Sequence, residues 1–146
     1  MSFDKEIYQL RASIFTFVFS VRATLDTIAG LFQTIYGPRI GQHTSFNGLM
    51  RYVISEKCVV KDPVLTDYLV NNMEWFVLLK DVRDYLAHFG AVNFSIKESE
   101  SGALSIEIFR GIEIDAFVST VHTGFQDLLS FLDIHCANVV KRITMP

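Results

Sequence analysis

The sequence predicts a mainly α protein: an antiparallel bundle of three long helices and one short helix, with a small β-hairpin inserted before the last helix. Three observations predict it. Apolar residues recur three and four apart over most of the 146 residues. One stretch switches to strict alternation, and Pro, Gly and capping residues fall where these patterns begin and end.

Phe3, Ile7, Leu10, Ile14, Phe17, Val21, Leu25, Ile28, Phe32 and Ile35 form one stripe along a first helix that stops near Gly37-Pro38. The aperiodic segment from Pro38 reads as a loop. Ser45 then caps a short helix whose inner face holds Phe46, Leu49, Met50 and Val53. Asp62-Pro63 is a start signal, a capping carboxylate followed by Pro at the first helical position. A second long helix follows, with Leu65, Tyr68, Asn72, Trp75, Leu79, Val82, Leu86 and Phe89 as its stripe. It runs to about His88, and Gly90 suits the left-handed residue beyond it. Asn72 interrupts that stripe, either to set register or partner choice or to mark where the helix meets water.

Val92, Phe94 and Ile96 alternate with polar residues, Ser99–Gly102 supplies a turn, and Leu104, Ile106 and Ile108 alternate again, the pattern of a β-hairpin. Asp115 opens a third long helix with Val118, Val121, Phe125, Leu128, Leu132, Cys136, Val139 and Ile143 as its stripe. Lys141 and Arg142 fall in its last turn, where cations suit the helix dipole.

The length fits a single domain, residues 1–146. Half the residues are apolar and thirteen are Phe, which suits a rich core or an oligomer interface. A net charge of −3 excludes a protein that coats nucleic acid through a broad basic face, so any RNA contact must be local. Cys58 and Cys136 have no CxxC or ligand spacing and read as reduced, small apolar side chains. Asp4, Lys5 and Glu6 do not form a basic leader, and the apolar run Ser13–Val21 is short of a membrane span and interrupted by Arg22 and Asp26. These features predict a soluble cytoplasmic protein that does not engage a membrane. His43, His122 and His135 match no ligand pattern and read as loop, surface or core residues. With no glycine-rich phosphate loop and no GxSxG, neither a cofactor nor a metal is expected.

The richest stretch is Arg83-Asp84-Tyr85-Leu86-Ala87-His88, at the end of the second long helix. Arg can hold a phosphate bidentately and His can move a proton near neutral pH. On an ideal helix the two lie about 140° apart and roughly 7.5 Å along the axis, so they flank the buried stripe on opposite sides. Convergence on one substrate then needs a frayed helix end or a second chain, as in a symmetric dimer. Asp84 precedes His88 by four and could orient the imidazole, and it follows Lys80 by four, so a surface ion pair is the competing use.

Trp75, Leu79 and the run Arg83 to Gly90 resemble the HEPN superfamily of helical ribonuclease domains, whose motif is an Arg, commonly followed by Asn, Asp or His, and a His four to six residues on. The order of helices around the motif is similar too, and the resemblance covers most of the chain. It implies a metal-independent endoribonuclease, acting as a homodimer on RNA, in a toxin or antiphage system, with an antitoxin or other regulatory protein as a possible partner. It assigns catalysis to Arg83, Asp84 and His88. Arg22 and Asp26 would add contacts to the substrate or orient Arg83, with an intrahelical salt bridge as the alternative. Tyr85 would stack on a base, with core packing as the alternative. Some members carry a modified Tyr two residues after the His, and Gly90 stands there in this chain. The competing function is a non-catalytic HEPN-like module that recognises a protein partner or a nucleotide.

Overall fold

The computed structural model describes residues 3–89 and 94–145. Among them are five α-helices: α1 (Phe3–Tyr36), α2 (Phe46–Ile54), α3 (Pro63–Asn71), α4 (Glu74–Phe89) and α5 (Ile114–Thr144). A 3₁₀ turn spans Pro38–Ile40, and an antiparallel sheet of β1 (Ser95–Glu98), β2 (Leu104–Phe109) and β3 (Ile112–Glu113), in that order, precedes α5. The fold is mainly α, as the periodicity predicts. Val92 and Gly90, to which the sequence gives a strand and a helix stop, lie outside the described residues.

Two of the expected caps form. Ser45 Oγ accepts from the Gly48 N–H at 3.1 Å, and Asp62 Oδ1 accepts from the Leu65 N–H at 3.0 Å, each satisfying a donor that the first helical turn leaves unpaired. The second long helix is not continuous. It breaks at Asn72, whose backbone N–H and side-chain Nδ2 both donate to the Tyr68 carbonyl, at 3.0 and 3.3 Å. An Asn competes with the helical ladder for its own backbone, and here it ends α3 instead of sitting in a stripe. The hairpin gains a third strand, because Arg110 and Gly111 both take positive φ (47° and 80°) and turn the chain in two residues. That geometry matches the twist of the flanking strands.

Contacts divide the chain into two units, Met1–Ser20 with Trp75–Gly124, and Val21–Glu74 with Phe125–Pro146. In the first, Ile14, Val18, Phe76, Leu79, Val82, Leu86, Phe117 and Val121 are buried. Gly124 is also needed there, since a Cβ on it would overlap the Trp75 indole. In the second, Leu25, Phe32, Phe46, Leu49, Leu65, Leu69, Leu128 and Leu132 are buried. The stripe of α5 runs Phe117, Val121, Leu128, Leu132, His135, Val139, so Val118 and Cys136 are displaced to half-buried flanks and Ile143 is exposed.

The second unit holds a polar knot. Asp62 Oδ2 accepts from the Tyr36 hydroxyl at 2.9 Å and lies 2.8 Å from His135 Nε2, and Tyr36 Oη and His135 Nε2 are 2.9 Å apart. His135 is 5% exposed and stacks on Phe131, which stacks in turn on Tyr68. Burial pushes the Asp62 carboxyl up, yet the hydrogen bonds from Leu65, Tyr36 and His135 outweigh it and hold the group below its usual range. Burial, and then the hydrogen bond to Asp62, push the Tyr36 phenol far above its ordinary value, so it stays a donor.

By length and composition α1 is apolar enough to cross a membrane: its most apolar window has a mean hydropathy of 1.4, and 28% of that window is buried. The longer reach of this helix, not the Ser13–Val21 run alone, meets that criterion.

Two outcomes follow for stability. Gly124→Ala should destabilise the protein by about 1–2 kcal/mol in urea unfolding, because overlap with Trp75 exceeds the roughly 1 kcal/mol of helix propensity that Ala gains. Asp62→Ala should cost about 3 kcal/mol by removing one partner of a buried network. Since native Asp62 binds its proton less readily than the unfolded chain does, its contribution is present above about pH 4 and is lost as pH falls through the native value. Urea titrations across the acid range should show that loss in the wild type and a flatter acid limb in Asp62→Ala.

Candidate functional site

The last two turns of α4 carry the Arg83–His88 motif. Val82 and Leu86 are buried and fix the helix rotation, which leaves Arg83, Asp84 and Tyr85 half-buried and His88 exposed. Arg83 Nη1 donates to Asp84 Oδ1 at 2.8 Å, and Lys80 Nζ reaches Asp84 Oδ2 at 3.1 Å. The hydrogen bond from Arg83, reinforced by Lys80, holds the Asp84 carboxyl below its usual range. Asp84 is thus engaged by its own helix. Among the described residues no side-chain hydrogen bond or ion pair joins Asp84 or Arg83 to His88.

Beside this helix end lies an open cleft of about 390 Å³, lined by Tyr85, Phe89, Ser95, Glu107, Ile108, Arg110 and Gly111. Tyr85 and Phe89 rest against each other with ring centroids 4.9 Å apart, and Phe89 is 70% exposed. Glu107 on β2 accepts from Lys97 Nζ through Oε1, at 2.6 Å, and from Ser95 Oγ through Oε2, at 3.3 Å. Arg110 at the lip holds a left-handed conformation that costs a non-glycine residue about 1 kcal/mol or more. The cleft therefore combines two aromatic faces, one ionised carboxylate and one guanidinium. No protein-family model, curated protein or solved structure matches this chain.

Arg22 and Asp26 belong to the other unit. Arg22 is 8% exposed and its Nη2 lies 3.7 Å from Asp26 Oδ1, an oxygen that also accepts from the Phe46 N–H at 2.9 Å. The pair thereby ties the start of α2 to α1. Among the described residues no group of three or more His, Cys, Asp or Glu is placed to hold a metal ion, and both cysteines are free thiols.

Sequence reasoning missed Arg110 and Glu107. The signal for Arg110 is present: Arg110-Gly111 stands between two alternating runs, the spacing of a two-residue turn. Of the loop, surface and core readings given to His135 the structure bears out the core one, with His135 in the buried α5 stripe and Cys136 beside it.

The Arg83–Asp84 pair gives one measurable consequence. In Arg83→Ala, a carbon-detected NMR titration should find the Asp84 carboxyl moved back up toward its ordinary value. Stability should change by under about 0.5 kcal/mol, since the partners are partly exposed.

Proposed function

We propose that this protein is a metal-independent endoribonuclease of HEPN type, acting on RNA as a homodimer in the cytoplasm. The observation that carries the reading is the helix end itself. Arg83 and an exposed His88 share the last turns of α4 with Tyr85 and Phe89, and those two rings line an open cleft of about 390 Å³. Within one chain the two side chains are separate, so two copies of α4 pairing about a twofold axis are needed to bring a guanidinium and two imidazoles around one phosphodiester.

In that arrangement one His88 takes the proton from a ribose 2′-hydroxyl, and the 2′-oxygen attacks the adjacent phosphorus. Arg83 donates to the non-bridging oxygens, where negative charge grows in the transition state. The 5′-oxygen leaves with a proton from the His88 of the second protomer. The products are a 2′,3′-cyclic phosphate and a 5′-hydroxyl. An antitoxin or regulatory protein that restrains such an activity belongs to the same proposal.

One observation favours a second reading. Asp84 is held by Arg83 and Lys80 and does not steer His88, which suits a non-catalytic HEPN-like module that recognises a protein partner or nucleotide.

Purified protein incubated with single-stranded RNA in EDTA should leave cyclic phosphate ends and spare DNA. Arg83→Ala and His88→Ala should each slow cleavage about a hundredfold or more. Absence of cleavage would favour the binding module, and equal cleavage by all three proteins would mean the activity is not this protein's.

A further inference from the structure

We propose that the cleft between the end of α4 and the β2–β3 turn is a guanine-binding subsite, with Glu107 as its specificity-determining acceptor. The proposal rests on the reading of the protein as one that acts on RNA, but it concerns recognition and not cleavage.

A base in single-stranded RNA is recognised by stacking on an aromatic face and by hydrogen bonds to its Watson–Crick edge. The cleft offers both. Phe89 presents an open ring backed by Tyr85, and its volume of about 390 Å³ lies at the small end of ligand sites, about 300–1,000 Å³. Ile108, 2% exposed, also borders the cleft.

Glu107 decides which base. Lys97 and Ser95 each hold one of its oxygens, which fixes the plane of the carboxylate and keeps it ionised. A carboxylate has about four acceptor positions, so each oxygen can take one further donor. Guanine presents two adjacent donors, N1–H and the N2 amino group, at the spacing of two carboxylate oxygens, and the pairing is bidentate and charge-assisted. Adenine and cytosine set one amino group beside a ring nitrogen that is itself an acceptor and would face the second oxygen. Uracil flanks its single N–H with two carbonyls. Each of these leaves a carboxylate oxygen against another acceptor, the kind of mismatch that discriminates most strongly.

Arg110 completes the subsite. It lies in the two-residue turn between β2 and β3 and lines the cleft. A guanidinium there suits the phosphate attached to the bound nucleoside.

Calorimetric titration of the intact protein with 5′-GMP, AMP, CMP and UMP tests this directly. GMP should bind tightest by about ten- to a hundredfold, the discrimination expected of one bidentate pair. Glu107→Gln should erase the preference, while Phe89→Ala should weaken all four nucleotides together. Equal binding of the four by the wild type, or binding of none, overturns the subsite, whatever the variants do. Selective GMP binding without RNA cleavage would leave the subsite standing and defeat the nuclease reading. Cleavage without GMP preference would do the reverse.

Discussion

A single carboxylate organises the unit formed by Val21–Glu74 and Phe125–Pro146. Asp62 caps the first turn of α3 through one oxygen and receives Tyr36, from the end of α1, and His135, from α5, through the other. The partners are 26 and 73 residues away in sequence. Tertiary packing must therefore be essentially complete before the network closes, and opening any part of it leaves a buried polar group unsatisfied. That penalty, more than the net gain of each bond, makes the arrangement specific. The ring of His135 extends it into the aromatic stack with Phe131 and Tyr68, so the imidazole is held by a face as well as by an edge.

The carboxylate at the end of α4 has the opposite character. Asp84 is half-exposed and shares its oxygens with Lys80 and Arg83, and pairs of that kind contribute little to stability. His88 is exposed in the same turn and Phe89 more so. A helix end whose charged, aromatic and titratable side chains stabilise little can exchange those contacts for a ligand at little cost to the fold.

Much of the fold is legible in the sequence because caps and periodicity are local. Ser45 and Asp62-Pro63 are read from residues within a few positions of one another, and the structure forms those caps. Of the α1 stripe it buries Ile14, Val21, Leu25 and Phe32, but it buries Val18 and Ala29 in place of Phe17 and Ile28, which are half-buried. The break at Asn72 is not legible, because the three-and-four rhythm continues through it. Tyr68 and Trp75 both keep phase, while Asn72 leaves helical geometry as the C-cap of α3, its side chain sharing the Tyr68 carbonyl with its own N–H. In α5 two adjacent positions, His135 and Cys136, fit the stripe almost equally. What places His135 inside is a carboxylate and a phenol from distant segments, which no local pattern contains. The cleft fails to show for a related reason. Glu107 and Lys97 read as ordinary outward residues of a hairpin. Strand pairing brings the two together, and only packing beyond the hairpin sets Glu107 in one cleft with Tyr85 and Phe89.

The proximity of cleft and motif has a consequence for the proposed chemistry. Tyr85 and Phe89 lie on α4 among Arg83, Asp84 and His88, so a base stacked on Phe89 leaves its own ribose and phosphates near the last turn of that helix. The nucleophile in the proposed reaction is the 2′-hydroxyl of the nucleoside on the 5′ side of the cut, and that is the nucleoside whose base the cleft would hold. Recognition and reaction would then share one nucleotide. Fixing the base restricts the ribose, and holding the 2′-oxygen in line with the adjacent phosphorus is where positioning lowers the barrier most. Since His88 and Arg83 lie on different flanks of one helix, the second protomer would have to pack against the His88 flank, beside the bound base, and supply its own Arg83 there. This geometry requires a dimer interface that leaves Phe89 uncovered.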